Sequence, residues 1–341
     1  MQNNTVVNKP DNRAGLYLID QVMGYAFHAA LRTAAQLGVA DHLLNGPETP
    51  EALARKFGVE AQALHRIMRL LATRDIFRET KEGEFELTPA AEYLCTHTPN
   101  SLRAAMLMLT DQTFWTPLGN LVEAVKGHSA FQQAFGKTFF EYWSQQGEGE
   151  SDFHVGMSSM SGVENDVLVN SYDFPEHASV VDVAGGFGGL LLKVLRKNPG
   201  LHGILFDQPH VLPRNRLHEL GDDSRWELAP GSFFEKCPAA DFYLLKYITH
   251  DWADEDAAKI LYTCRQAMNP GGKVLIMDTI IKEDNAPHTG KSMDLLLMAS
   301  FDGGRERTEK EIKQLLAKAD LKLNRIIDTG FYISIIEAVA N

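Results

Sequence analysis

The stretch Val180–Gly189, VVDVAGGFGG, decides how the rest of the chain is read. Val180, Val181 and Val183 are β-branched and favour a buried extended strand. The glycines that follow strip side chains from the backbone just before a helical pattern, GLLLKVLRK, begins. Working outward, strands and helices alternate: SVVDV, the helix through GLLLKVLRK, then GILFD, DFYLL, the helix DEDAAKILYTCRQAM, and KVLIMD. Repeated alternation of this kind with short apolar strands predicts a parallel sheet covered by helices on both faces. The segment NRIIDTGFYISIIEAVA predicts two further strands completing it. The fold class is therefore α/β, a Rossmann-like doubly wound sheet.

In such a sheet ligands sit beyond the carboxyl ends of the strands, where glycines let them approach the backbone and the next helix offers its amides. AGGFGG occupies that place but fits a dinucleotide fingerprint poorly, since Leu191 stands where a third glycine is needed. Asp182, just before the loop, would repel a pyrophosphate and suits a cationic ligand. Asp207 ends the next strand about 20 residues on, the position from which a carboxylate accepts bonds from ribose hydroxyls. These features favour S-adenosylmethionine, which carries a ribose, an ammonium and a sulfonium; a dinucleotide site and a loop shaped only by tight packing stay open.

Toward the N-terminus, Leu16 to about Leu44 places apolar residues on more than one helical face, which predicts contact with another chain. TPEALARKFGVEAQALHRIMRLLATRDIF then gives two helices joined at Gly58, the second with an apolar face of Leu64, Ile67, Leu70 and Leu71. EGEFELTPAAEYL follows with strand-like alternation at Phe85 and Leu87, so the unit resembles a winged helix. Residues 1 to 105 hold 11 Lys and Arg against 12 Asp and Glu, so no net positive field draws DNA to it. Arg66, Arg69 and Arg74 keep phosphate contacts conceivable, but the balance favours dimerisation. Residues 106 to 170 form a helical, aromatic- and methionine-rich stretch that fits either core or the wall of an apolar pocket.

The whole chain bounds these readings. At 341 residues and 44% hydrophobic content it can bury the core of about two domains. A formal charge of −12 argues against nucleic acid as a partner. Cys95, Cys237 and Cys264 are odd in number and unpaired in spacing, so they read as small buried hydrophobes, not a disulfide framework or a zinc site. The opening MQNNTVVNKPDNRAG has no apolar signal core, and no stretch approaches the ~18 apolar residues of a membrane span. A soluble, cytoplasmic protein that does not meet a membrane is expected.

KYITHDW (residues 246–252) followed by GGRERT (residues 303–308) narrows the reading. With these motifs the chain resembles, over almost its whole length, the caffeate and hydroxyindole type of metal-independent S-adenosylmethionine-dependent O-methyltransferases, including bacterial members that modify aromatic natural products. The resemblance implies a dimerisation domain over residues 1–105 and a methyltransferase domain over 106–341, of which 106–170 is a helical substrate-pocket linker. It implies a homodimer and an aromatic small-molecule substrate, methylated on a hydroxyl expected to be phenolic.

It also implies roles for individual residues. His250 is the expected general base; an imidazole titrates near neutrality and can take a hydroxyl proton during attack on a methyl sulfonium. Asp278 and Glu306 are the expected carboxylates that orient it. Most relatives have glutamate at the place of Asp278, and the missing methylene predicts a water-mediated contact. Glu306 lies just ahead of a T-x-x-E capping box formed by Thr308 and Glu311. The cofactor residues carried over are Ala184, Gly185, Gly186, Asp207, Ser232, Phe233, Lys246 and Ser161, with Asp182 offsetting positive charge. Phe153, Met157 and Trp252 are expected to line the transfer pocket. Ala184 replaces a usual glycine and Ser232 a usual aspartate, which predicts weaker cofactor binding; the alanine is tolerated if its φ stays negative. Two rivals remain: a relative that uses the bound cofactor in decarboxylation, hydroxylation or pericyclic chemistry, and a winged-helix DNA-binding regulator.

Overall fold

The computed structural model describes residues 12–145 and 153–341; the polar opening stretch up to residue 11 lies outside them. The chain divides into two compact units, Met1–Thr110 and Asp111–Asn341.

In the first unit the long apolar segment forms two helices, Asn12–Val22 and Gly24–Leu37, broken at Met23. Leu16, Tyr17, Leu18, Ile19, Val22 and Tyr25 are all more than 60% exposed, so this apolar surface is not covered within the chain. The helices Pro50–Phe57 and Ala61–Ala72 meet at Gly58, whose φ of +66° turns the chain. Arg74 lies beyond the end of the second, with its guanidinium 4.2 Å from the centre of the Phe27 ring. Leu64, Met68 and Leu71, spaced i, i+4, i+7, supply that helix's core face. Leu70, expected there, points outward because it is one residue out of that phase. β1 (Phe77–Glu79) and β2 (Phe85–Leu87) pair antiparallel and bury Phe77 and Phe85 against the helices, completing the wing.

The second unit opens with short helices between Gln112 and Ser144 and the helix Phe153–Ser171. Its sheet contains β3 (Ala178–Val183), β4 (Leu201–Asp207), β5 (Trp226–Pro230), β6 (Ala240–Lys246), β7 (Met268–Asp278), β8 (Leu321–Asp328) and β9 (Ser334–Ala340). Their spatial order is β5-β4-β3-β6-β7-β9-β8. Two features depart from the expected parallel sheet. β9 pairs antiparallel with both β7 and β8, because the turn from β8 to β9 is too short for a crossover. β5, a half-exposed edge strand, carries no apolar run to announce it.

Val181, Val183, Leu245, Val274 and Ile276 bury the centre of the sheet, each worth about 1.5–3 kcal/mol as a filled core position. Asp207, Lys246 and Asp278 are the last residues of β4, β6 and β7, which gathers three polar side chains at one edge of the sheet. All three cysteines are buried thiols, with the sulfurs of Cys237 and Cys264 3.7 Å apart. Among the described residues no helix is long and apolar enough to cross a membrane.

Candidate active site

The glycine loop leaves β3 with left-handed residues at three alternate positions: Ala184 at φ +53°, Gly186 at +59° and Gly188 at +74°. The negative φ that would let Ala184 carry its methyl without strain is therefore not present. The amide of Ala184 donates to the carbonyl of Phe206 at 2.7 Å, tying the start of the loop to the end of β4. A left-handed residue other than glycine costs of order 1–2 kcal/mol.

Gly185 is glycine for a different reason: a Cβ there would lie 2.5 Å from Cγ of Asp182 and 2.6 Å from Leu205. What approaches this backbone from within is Asp182 itself. Its carboxylate is buried under the loop, accepts the amide of Leu191 at 3.3 Å, and is pushed up to about 7 by burial. At Gly186, by contrast, a Cβ would meet nothing within 4 Å, so this side of the loop is open. The Gly186 amide donates to Oδ2 of Asp207 at 2.8 Å, tying the loop to the end of β4, while Oδ1 accepts from Gln208. Ser232 follows β5, its hydroxyl accepting the amide of Phe234 at 3.3 Å. Phe233 and Phe234 both pack edge-on against Trp252, at 5.9 and 4.8 Å between ring centres.

Lys246 and Ser161 come together at 2.7 Å, and the lysine forms an ion pair of 2.6 Å with Glu164, one helical turn beyond Ser161. Burial lowers the Lys246 ammonium while Glu164 and Asp182 pull it back up. Glu164 also accepts the hydroxyls of Tyr247, at 2.7 Å, and Tyr332. Tyr247 holds a φ of +57°, rare for a bulky residue and a form of strain concentrated at functional sites. Its ring lies nearly parallel to the imidazole of His250, 12° between planes and 5.1 Å between centres.

His250 is buried in a short 3₁₀ turn, Thr249–Asp251. Nδ1 stands 3.0 Å from Oε1 of Glu306 and Nε2 3.4 Å from Oδ1 of Asp251. Burial pulls the imidazole down, but the charges of Glu306, Asp278 and Asp251 outweigh it and raise the ring to about 10. Burial raises Asp251 to about 7, and it raises Glu306 as well. These groups titrate as one cluster. Asp278 does not touch the imidazole; Oδ2 is engaged by the Thr249 hydroxyl, and Oδ1 is buried without a protein partner. A small cavity borders Thr249, His250, Asp278, Thr279, Glu306 and Arg307.

GGRERT is stitched to HDW residue by residue. The Arg305 amide donates to the His250 carbonyl at 2.7 Å. Arg307, buried, bonds the carbonyls of Thr249 and Trp252 and the carboxylate of Asp254. A Cβ on Gly304 would stand 3.1 Å from the carbonyl of His250, so the close approach needs that glycine. Thr308 and Glu311 form the expected capping box.

Around this turn lies an aromatic cluster. Phe140 stacks on Trp252 at 5.7 Å, Phe139 meets Phe153 at 5.2 Å, and Phe301 touches both Phe139 and Phe140. Met157, half-buried, lies one turn beyond Phe153 on the same helix.

Over nearly its whole length the chain is also similar to known proteins. Residues 115–322 match the model of an O-methyltransferase domain, and residues 19–97 that of an O-methyltransferase dimerisation domain. The chain belongs to the O-methyltransferase family. It is 35% identical to a phenazine O-methyltransferase of Lysobacter antibioticus, covering 96% of this chain and 98% of that one. It is 34% identical to a mitomycin biosynthesis 6-O-methyltransferase of Streptomyces lavendulae, covering 96% of each. A methyltransferase of calicheamicin biosynthesis, solved with S-adenosylhomocysteine bound, superposes with a TM-score of 0.90 at 40% identity, over 98% of this chain and 100% of the other. The protein is thus an S-adenosylmethionine-dependent O-methyltransferase with a class I methyltransferase fold and a helical N-terminal dimerisation domain.

The residues present fit that cofactor. The loop is open at Gly186, and Asp207 offers a half-buried carboxylate at the end of β4. Sequence reasoning missed Glu164, Tyr247, Asp251 and Arg307. Glu164 carried a signal, a carboxylate amid the apolar helix FHVGMSSMSGVENDVLV; Arg307 lay inside RERT, read only for its glutamate.

Proposed function

We propose that this O-methyltransferase acts on a phenolic hydroxyl of a fused-ring or benzenoid natural product, with His250 as general base. The observation that carries the reading is the caged imidazole: Glu306 fixes Nδ1 and leaves Nε2 directed away from it. When bound, S-adenosylmethionine supplies a methyl group activated on a sulfonium. His250 accepts the hydroxyl proton, and Glu306 stabilises the imidazolium that results. Asp278 contributes charge at longer range, its carboxylate set by Thr249.

Asp207, Ser232, Phe233, Lys246 and Ser161, with the loop Ala184–Gly186, hold the cofactor; Asp182 supports the loop from beneath. Phe153, Met157 and Trp252 wall the acceptor, joined by Phe139, Phe140 and Phe301, whose rings suit a flat apolar molecule. The exposed apolar face of the first two helices closes a homodimer. The relatives named above act, by their names, on a phenazine and in mitomycin biosynthesis, which supports an aromatic acceptor.

The test offers the enzyme a hydroxyphenazine and 1,4-dihydroxy-2-naphthoic acid beside their amino analogues, and follows S-adenosylhomocysteine. Stoichiometric release with the phenols, abolished in His250→Ala, is the expected result. Turnover of the amines alone would overturn the phenolic reading, and full activity in His250→Ala the role of the base.

A further inference from the structure

Three elements converge beneath His250 in a way the base assignment does not use. The helix Phe153–Ser171 sends Glu164 inward, the end of β6 supplies Lys246 and Tyr247, and the turn between β8 and β9 supplies Tyr332. One buried carboxylate joins all of them. Oε2 of Glu164 pairs with Lys246 at 2.6 Å, and Oε1 accepts both tyrosine hydroxyls, which themselves lie 3.3 Å apart. The tyrosine ring is thereby fixed at its far end. At its near end the backbone is fixed too: the Tyr247 amide donates to the carbonyl of Met277 on β7 at 3.1 Å, and the residue is held at φ +57°. A ring pinned at both ends presents a rigid flat face, and the imidazole of His250 lies against that face at 12°.

We propose that Tyr247 is a positioning residue for His250: its ring sets the plane of the imidazole, and Glu164 sets the ring. This rests on the reading of His250 as base. Glu306 bonds Nδ1 and Asp251 lies 3.4 Å from Nε2, contacts at the ring's edge that leave its plane free to tilt about the line joining the two nitrogens. The stacked tyrosine removes that tilt and so determines where Nε2 points. The Lys246–Glu164 pair, beside the loop, and the base are consequently parts of one unit, since Lys246 also lies 5.0 Å from the Tyr247 ring centre.

The arrangement has a specific chemical requirement. The face must be flat and aromatic, while the hydroxyl serves only as an anchor. Tyr247→Trp should therefore preserve function better than Tyr247→Leu, although leucine is the smaller perturbation of volume. Tyr247→Phe keeps the face and releases only the anchor, so it should be the mildest of the three.

The experiment labels histidine with ¹⁵N in the full-length protein and assigns the His250 ring resonances by their loss in His250→Gln. The ring is titrated in the wild type, Tyr247→Phe, Tyr247→Leu and Tyr247→Trp. The groups facing it, Glu306, Asp251 and Asp278, are unchanged throughout. Alongside, S-adenosylmethionine affinity is measured by calorimetry, and kcat with 1,4-dihydroxy-2-naphthoic acid. In Tyr247→Leu the His250 resonances shift and broaden, and kcat falls roughly 10- to 100-fold while KM and cofactor affinity stay within about threefold, the signature of a mis-aimed group. Tyr247→Phe gives a smaller change of the same kind, and Tyr247→Trp keeps sharper lines than Tyr247→Leu.

Unchanged His250 resonances in both Tyr247→Phe and Tyr247→Leu, with only the melting temperature lowered, would make Tyr247 a packing residue and overturn the proposal. Should His250→Gln retain methyl transfer, the base assignment falls, yet the resonances still decide whether Tyr247 sets the ring. Tyr247→Phe removes a single oxygen and gives a folded protein on which the decision can rest if the leucine variant does not fold.

Discussion

At the ends of β3 and β4 the site is made of backbone; at the ends of β6 and β7 it is made of side chains. The loop offers amides and open space, and its shape comes from residues within about 25 positions of one another: Asp182 beneath it, Leu205 and Asp207 beside it. The base cluster draws His250 and Asp251 from one turn, Asp278 from a strand, and Glu306 and Arg307 from a segment more than 50 residues on. The loop has no room for a side chain at Gly185 yet stays open at Gly186. In the cluster each charge sets the protonation of the others.

Replacing the base is the sharpest way to separate the two regions. His250→Ala should lower kcat by about 10²–10⁴-fold, the usual worth of a positioned proton acceptor. Cofactor affinity should be retained, since the loop makes no hydrogen bond to His250 among the described residues. Rapid-quench kinetics with a titration of S-adenosylmethionine checks both. Loss of binding with the imidazole would show that the two regions are one.

Glu306→Gln probes the charge within the cluster. In the donor-free protein the imidazole is raised to about 10, and a base works only when unprotonated. Activity measured as kcat/KM, which reports the free enzyme, should therefore climb with pH through neutrality toward that value and fall off on the acid side. Removing the Glu306 charge withdraws what holds the proton on, so the acid limb should move to lower pH even as the rate falls roughly 10- to 100-fold through lost orientation. A wild-type limb centred near the ordinary imidazole value of about 6.5 would contradict the carboxylate cage.

Gly185→Ala tests the opposite sensitivity. Its methyl would enter the space of the Asp182 carboxylate and Leu205, overpacking worth about 1–3 kcal/mol of stability. The loop must lift to relieve it, so cofactor affinity should drop by about tenfold. Intact affinity with a lowered melting temperature would mean that the strain dissipates into the sheet.

The same contrast explains what could be read without a structure. The central strands declare themselves by apolar runs, and the loop by glycines in sequence, because both are local. Asp207 could be placed by its distance along the chain. The edge strand Trp226–Pro230 could not, since a half-exposed strand has no pattern of its own. The direction of Ser334–Ala340 could have been inferred from its short connection, five residues from Asp328. Glu164 and Tyr247 were invisible as functional residues because their roles exist only when a helix, two strands and a turn meet. Resemblance to a family supplied His250 and Glu306, which spacing alone would not have joined.

Ala184 is where local reading fell short, and it yields the smallest and most discriminating effect. The alanine was expected to weaken the cofactor site and to be tolerated only if its φ stayed negative; it sits at +53°. Ala184→Gly removes a left-handed strain of about 1–2 kcal/mol. Glycine's greater freedom in the unfolded chain takes back about 0.4–1 kcal/mol of that. The net gain should be about 0.5–1 kcal/mol, visible as a rise of a few degrees in melting temperature, roughly 1–4 °C for a domain of this size. Cofactor affinity should stay within about twofold, because the alanine already occupies the backbone conformation glycine would adopt and its amide remains tied to Phe206. If affinity instead rises tenfold while stability is unchanged, the methyl group obstructs the ligand directly, and the loop is limited by volume on its outer face as well as on the face toward Asp182.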